Sequence, residues 1–268
     1  MNAISGSIAA APRLYRAITD RQVFVITAAL FVVLTLAGFI PSSLAKIGAV
    51  QAGQRPPFPA VLHVHAVTMG LWLLLLLAQS GLAAAGRRAA RRMLGIAGAV
   101  LLPVIVITGV LLIDATWKQL WNPATAAAMP EPVLTETRTF VSNIMLLQAR
   151  ALIAFPLFVV WALLIRRSDV DAHRRLMLLG TAVPVLAGLD RLSEALGWTT
   201  MPASPISMDI WLLASVLPIL VADLARGRGL HFTTKVWLAV NVVMAALVNL
   251  LWNSPWWLET APRLVGVA

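Results

Sequence analysis

Apolar runs long enough to cross a bilayer recur along this chain, and few sequence features constrain a fold more tightly. A membrane-spanning helix needs about 17–25 predominantly apolar residues. Runs close to that length occupy 23–40, 61–85, 93–113, 144–165, 176–192, 210–225 and 236–252. With no water in the hydrocarbon core, backbone groups must pair internally, so the runs read as helices. Composition agrees: of 268 residues, 60% are hydrophobic and 12% charged. Soluble domains carry roughly twice that charge. The expected fold is an all-α polytopic transmembrane bundle of seven spans. Residues 1–22 read as a cytoplasmic segment, 23–253 as the membrane domain and 254–268 as a periplasmic tail. The first run is too long for a typical signal core and is read as a retained helix.

Direction follows from lysine and arginine. The segment before the first run and the connections after the second, fourth and sixth hold fourteen of the twenty-one basic residues. The other side holds Lys46, Arg55, Lys118, Arg138, Arg191 and Arg263, while Arg150 lies within a span. By the positive-inside rule the N-terminus is cytoplasmic and the C-terminus periplasmic, as in a bacterial inner-membrane protein. The basic connections are tight: "GRRAARR", "RRSDVDAHRR" and "RGRGLH". They make three basic-tipped hairpins after a first single helix. The net charge of +10 sits in these tips. It lacks the motifs of a nucleic-acid binder, so the expected partners are the lipid bilayer and other membrane proteins. Residues 41–60 and 114–139 read as the longer outer loops. Pro103, Pro156, Pro184 and Pro218 each interrupt a span and predict kinks or hinges.

Ionisable and polar groups inside spans are costly and mark where function concentrates. At about 1.5 Å per residue, Arg150 and Asp190 lie at similar height in the outer leaflet and are expected to pair. Glu194, one turn beyond Asp190, is the alternative partner, and Arg191 is placed in the same network. In the second span His65, Met69, Trp72 and Gln79 share one helix face at 100° per residue. Asn249 of the last span belongs at the height of Met69. Imidazole and thioether are both haem ligands, so His65 and Met69 are candidate cofactor contacts. A hydrogen-bonding role for His65 and a packing role for Met69 are the competing readings. His173 and His231 lie at the basic ends of their helices near Asp169, Asp171 and Asp223. They are candidate haem ligands too, or else interfacial histidines among headgroups. The arginines around them suit haem propionates or anionic lipid more than a dication, so no metal is assigned. The absence of cysteine excludes thiolate chemistry and iron–sulfur clusters.

The segments "HAVTMGLWLLLLLAQSGL", "RRMLGIAG", "DAHRRLMLLG" and "RGRGLH", in that order from about residue 60 to 250, resemble a family of uncharacterised multi-pass bacterial membrane proteins. The family's "HR-x-L-G" tip appears here as "RRMLG", with Arg91 where a histidine is expected. That change weakens any scheme in which this tip supplies a ligand. The resemblance brings no assigned activity with it. At the level of the fold it extends to membrane proteins associated with haem and respiratory-oxidase assembly.

Three functional readings follow. One is an inner-membrane protein binding haem or another redox group. The second is a transporter or small-molecule-binding protein with an outer-leaflet polar site. The third is a structural or assembly factor. No phosphate loop, nucleophile elbow or zinc-protease motif is present, which turns the reading away from an enzyme.

Overall fold

The computed structural model describes residues 20–225 and 229–267, without the side chains of Asp20, Arg21, Arg88, Ala90 and Arg91. Arg13, Arg16, Arg226 and Arg228 of the charge tally therefore lie outside the described residues, as do the side chains of Arg21, Arg88 and Arg91. Among the described residues the chain is helical, with no strand. The order is α1 (Asp20–Gln51), α2 (Ala60–Ala84), α3 (Arg88–Leu120), α4 (Pro123–Ala127), α5 (Glu131–Ile165), α6 (Val170–Ala195), α7 (Ile206–Ser215), α8 (Leu217–Ala225), α9 (Phe232–Leu251) and α10 (Pro255–Leu264). Six helices are long and apolar enough to cross a membrane: α1, α2, α3, α5, α6 and α9. The bent pair α7–α8 makes a seventh if it is one span. This is the pattern of a multi-pass membrane protein.

The residues expected to form outer loops are largely helical. Helix α1 runs through Pro41 to Gln51, and α3 and α5 extend well beyond their apolar runs. Hydropathy marks where lipid begins; it does not mark where backbone hydrogen bonding stops. Pro103, Pro156 and Pro184 sit inside continuous helices. At Pro218 the helix breaks, and α7 and α8 meet at 54°. Proline has no N–H to offer the carbonyl four residues back, and its ring crowds that carbonyl. The Ser215 hydroxyl also donates to the Leu212 carbonyl at 2.7 Å, drawing on the same turn.

Helix α6 is the axis of the molecule. Its span is 67% buried, against 17–33% for the other long spans, and its mean hydropathy of 1.4 is the lowest of the six. The two facts share a cause: a helix enclosed by protein need not be apolar towards lipid. Helices α1 and α5 both pack along it. Gly38 and Gly188 meet where α1 crosses α6: a Cβ on Gly188 would lie 2.9 Å from the Thr35 Cα, and one on Gly38 would fall on the Gly188 carbonyl. Small residues at such a crossing let two backbones touch. Phe31, Trp72, Phe158, Leu179, Met208 and Trp237 fill the core around α6.

At the end away from the basic tips the bundle is closed by tryptophan. Trp117 stacks on Trp121 at 4.4 Å, and Arg138 covers Trp121. Asn253 turns the chain in the left-handed region (φ 58°) and folds α10 back against α5. There the Trp257 indole donates to the Ser142 carbonyl at 2.8 Å and Asn143 accepts from the Asn253 amide at 3.0 Å. Indole rings, apolar with one donor, suit a membrane–water boundary.

Candidate functional site: an arginine-mouthed cavity

Arg150 does not pair with Asp190, contrary to the expectation from helix depth. Its Nη1 meets Asp209 Oδ1 at 2.6 Å, and its Nη2 donates to Asn241 Oδ1 at 3.2 Å. Asn249 donates to the second Asp209 oxygen at 3.2 Å. Arg150 is buried, and this network ties α5, α7 and α9 together. Asp209 was missed because it stands one residue before the apolar run that begins at Ile210. Helix α7 starts earlier, at Ile206, and carries the carboxylate into the bundle. Asn249 does join the Arg150 cluster. Asp190, Arg191 and Glu194 belong to a separate charged group with Lys46 of α1. In it Arg191 donates to the Ala187 carbonyl and lies over the Phe39 ring.

The expected face of α2 divides in two. His65 Nδ1 lies 2.9 Å from the Thr108 hydroxyl, which itself donates to the Val104 carbonyl at 2.7 Å. The contact bonds α2 to α3. Met69, one turn on, packs against the core. Trp72 and Gln79 lie on the same face further along α2, where both line a large cavity near the basic tips.

The two basic-end histidines also part company. His173 bonds through Nδ1 to the Ala162 carbonyl at 2.8 Å and lines the cavity. His231 caps α9, its Nδ1 accepting from the Thr233 amide. Its Nε2 is 3.8 Å from Asp171. Asp171 stands two residues, or about 200°, around α6 from His173, so the two imidazoles serve opposite sides of that helix. On the His231 side is an ion pair that the sequence reading missed. Arg175, buried, binds Asp223 and reaches Asp171 at 2.9 Å. Asp223 also accepts from the His231 amide and the Thr234 hydroxyl, each at 3.0 Å. Burial and the Arg175 charge push the His231 imidazole below its ordinary value, more than the nearby carboxylates raise it.

The cavity has a volume of about 730 Å³ and opens among the ends of α2, α3, α5 and α6. Trp72 forms its floor, fixed by donation to the Thr181 hydroxyl at 3.0 Å and by edge-on contact with Phe155. From Trp72 to the end of α2 is about 18 Å. Leu75, Leu76 and Met177 line the inner part, and Phe24, Gln79 and Ser80 lie nearer the mouth. Glycine makes the room: Gly95 and Gly98 turn bare backbone towards α2, and a Cβ on Gly98 would lie 3.2 Å from Leu75. Arg92, Arg166, Arg167 and Arg174 surround the mouth with His173. None of these four arginines forms an ion pair among the described residues. The Arg174 Nε is buried and has no hydrogen-bond partner among them. Exposed Ile96, Ala99 and Val170 are part of the wall, so the cavity also reaches the exposed apolar flank of the bundle.

The haem candidates do not assemble into an axial pair. Axial ligands approach iron from opposite faces of the macrocycle. His65 and Met69 share one face of one helix, a turn apart, and His173 and His231 lie on opposite sides of α6.

Comparisons with family models, curated proteins and solved structures return no match, so the functional reading rests on the geometry of the cavity.

Proposed function

We propose that this chain is a bacterial inner-membrane protein, N-terminus in the cytoplasm, that binds or carries a small amphiphile bearing an acidic group. The observation behind the reading is the cavity itself. A volume near 730 Å³ falls in the range of about 300–1,000 Å³ typical of pockets that enclose a whole ligand. Its inner wall is apolar, and its mouth holds four guanidinium groups that no carboxylate neutralises among the described residues. Like charges gathered on low-dielectric walls repel one another, and an entering anion relieves that repulsion. The polar site thus moves from the outer leaflet to the basic end. In the Arg150 network both terminal guanidinium nitrogens and both Asp209 oxygens are partnered within the protein, and it reads as helix-to-helix attachment. The cytoplasmic orientation is supported by the basic residues collected at this end.

Mass spectrometry of the full chain purified in mild detergent tests the reading. An acidic amphiphile should co-purify, and Ser80→Trp, which fills the cavity, should lose it. Absence of a bound small molecule, with no thermal shift on adding acidic amphiphiles, would overturn the proposal. A Soret band that changes on reduction would instead assign the cavity to haem.

A further inference from the structure

We infer that the ligand of this cavity is a lipid phosphomonoester, its phosphate held by Arg92, Arg166, Arg167 and Arg174 and its chain lying towards Trp72; this rests on the amphiphile reading above.

The mouth argues for phosphate. One carboxylate offsets one of four positive charges, whereas a phosphomonoester carries about −1.5 to −2 near neutral pH, with three acceptor oxygens. Several guanidinium forks can share those oxygens in two-point contacts. Three of the four arginines come from the α5–α6 connection and the start of α6, and Arg92 reaches in from α3, so an anion would be gripped from two sides. The buried Arg174 Nε has no acceptor among the described residues, and an anion held at the mouth can supply one. Burying an arginine donor without a partner is costly, and an oxyanion removes that cost.

The route in argues for a lipid over a soluble phosphate. A soluble anion needs only the arginines, and the apolar floor about 10 Å further in, seven residues along α6 from Arg174 to the Thr181 that holds Trp72, would serve it no purpose. The apolar flank at Ile96, Ala99 and Val170 lies where the chains of a leaflet would run. A lipid can slide in with its headgroup held at the basic end and one chain turned inward. A second chain, if present, stays outside along the same flank. Donors within the cavity, Gln79 and Ser80, lie at the height where a glycerol or ester group would follow the phosphate.

The test uses the full chain in phosphatidylcholine nanodiscs and three probes: oleoyl lysophosphatidic acid, monoolein and inorganic phosphate. Lysophosphatidic acid should raise the melting temperature saturably. Monoolein, with the same chain and no phosphate, should bind at least about tenfold more weakly, the cost of losing a charge-assisted hydrogen bond. Inorganic phosphate should give no shift. Arg92→Gln/Arg174→Gln should weaken the lysophosphatidic acid response by about tenfold or more and leave monoolein unchanged. Its melting temperature without ligand, unchanged or raised by relief of repulsion, shows that it folds. Equal responses to lysophosphatidic acid and monoolein would overturn the phosphate assignment while the amphiphile reading stands. A response to inorganic phosphate equal to that of the lipid would overturn the lipid assignment. No response to any probe would overturn both.

Discussion

Arg150 shows how a single charge survives inside the bundle. Its partners come from three helices, and Asp209 spends both carboxylate oxygens, on Arg150 and Asn249. Removing one member of a buried pair strands the other, a loss of about 3–5 kcal/mol, whereas removing both with apolar replacements is often close to neutral. Arg150→Leu and Asp209→Leu should each lower the melting temperature in detergent, and the double variant should be milder than the sum. Additive losses would show that the pair is not coupled. His231 makes a second residue-scale prediction. Folded, its imidazole titrates below the ordinary 6.5, so between the two values the unfolded chain holds more protons. The His231 contribution is complete above about pH 6.5 and is lost as pH falls through the folded value. The cap gives the same sign, because a protonated Nδ1 can no longer accept from the Thr233 amide. His231→Asn keeps a capping acceptor and should flatten that part of the pH–stability curve. An identical slope in the variant would remove His231 as its source. Arg174 and Arg175 show why sequence could locate charges without assigning them. Both read as tip arginines, yet 100° of helix rotation sends one to the cavity mouth and the other to Asp223.

At the scale of elements, the crossing of α1 and α6 is the tightest constraint. An added methyl at Gly38 or Gly188 must push two helix backbones apart, and overpacking of this kind costs about 1–3 kcal/mol. Gly38→Ala and Gly188→Ala should both destabilise. Gly48→Ala has nothing within 4 Å to meet and should be neutral, or stabilise by up to about 1 kcal/mol through helix propensity. Thermal unfolding of the three variants measures this, and a Gly38→Ala protein as stable as Gly48→Ala would refute the close approach. The spans themselves were legible because lipid imposes apolarity over a fixed length. Their ends were not, since α1, α3 and α5 continue as helix into polar sequence. Each of the four prolines signalled a kink or hinge; the helix breaks at Pro218 and runs on through Pro103, Pro156 and Pro184.

Across the whole molecule the two ends differ in kind. One is a tryptophan-sealed cap, and the other is a ring of arginines around an open cavity. No sequence rule announces that cavity, because it arises from how far α3 stands from α5 and α6. Residues on its wall, Trp72, Gln79 and His173, were singled out for other reasons. Orientation is open to a direct check, since the chain contains no cysteine. Ser168→Cys at a basic tip and Gln54→Cys between α1 and α2 each supply one exposed thiol. In intact cells a membrane-impermeant maleimide should label the Gln54 variant and spare the Ser168 variant. The reverse pattern would invert the topology.

The pairing of α1 with α6 also sets a timetable for synthesis. Helix α1 leaves the ribosome before α6, which follows it by roughly 120 residues. At about 5–20 residues per second, the notch at Gly38 stays uncovered for on the order of ten seconds while four other helices are made. Any insertion machinery or chaperone that attends this chain must shelter that notch for the interval. Chains cut short before α6 present it permanently, as a mark by which quality control can tell an unfinished bundle from a finished one.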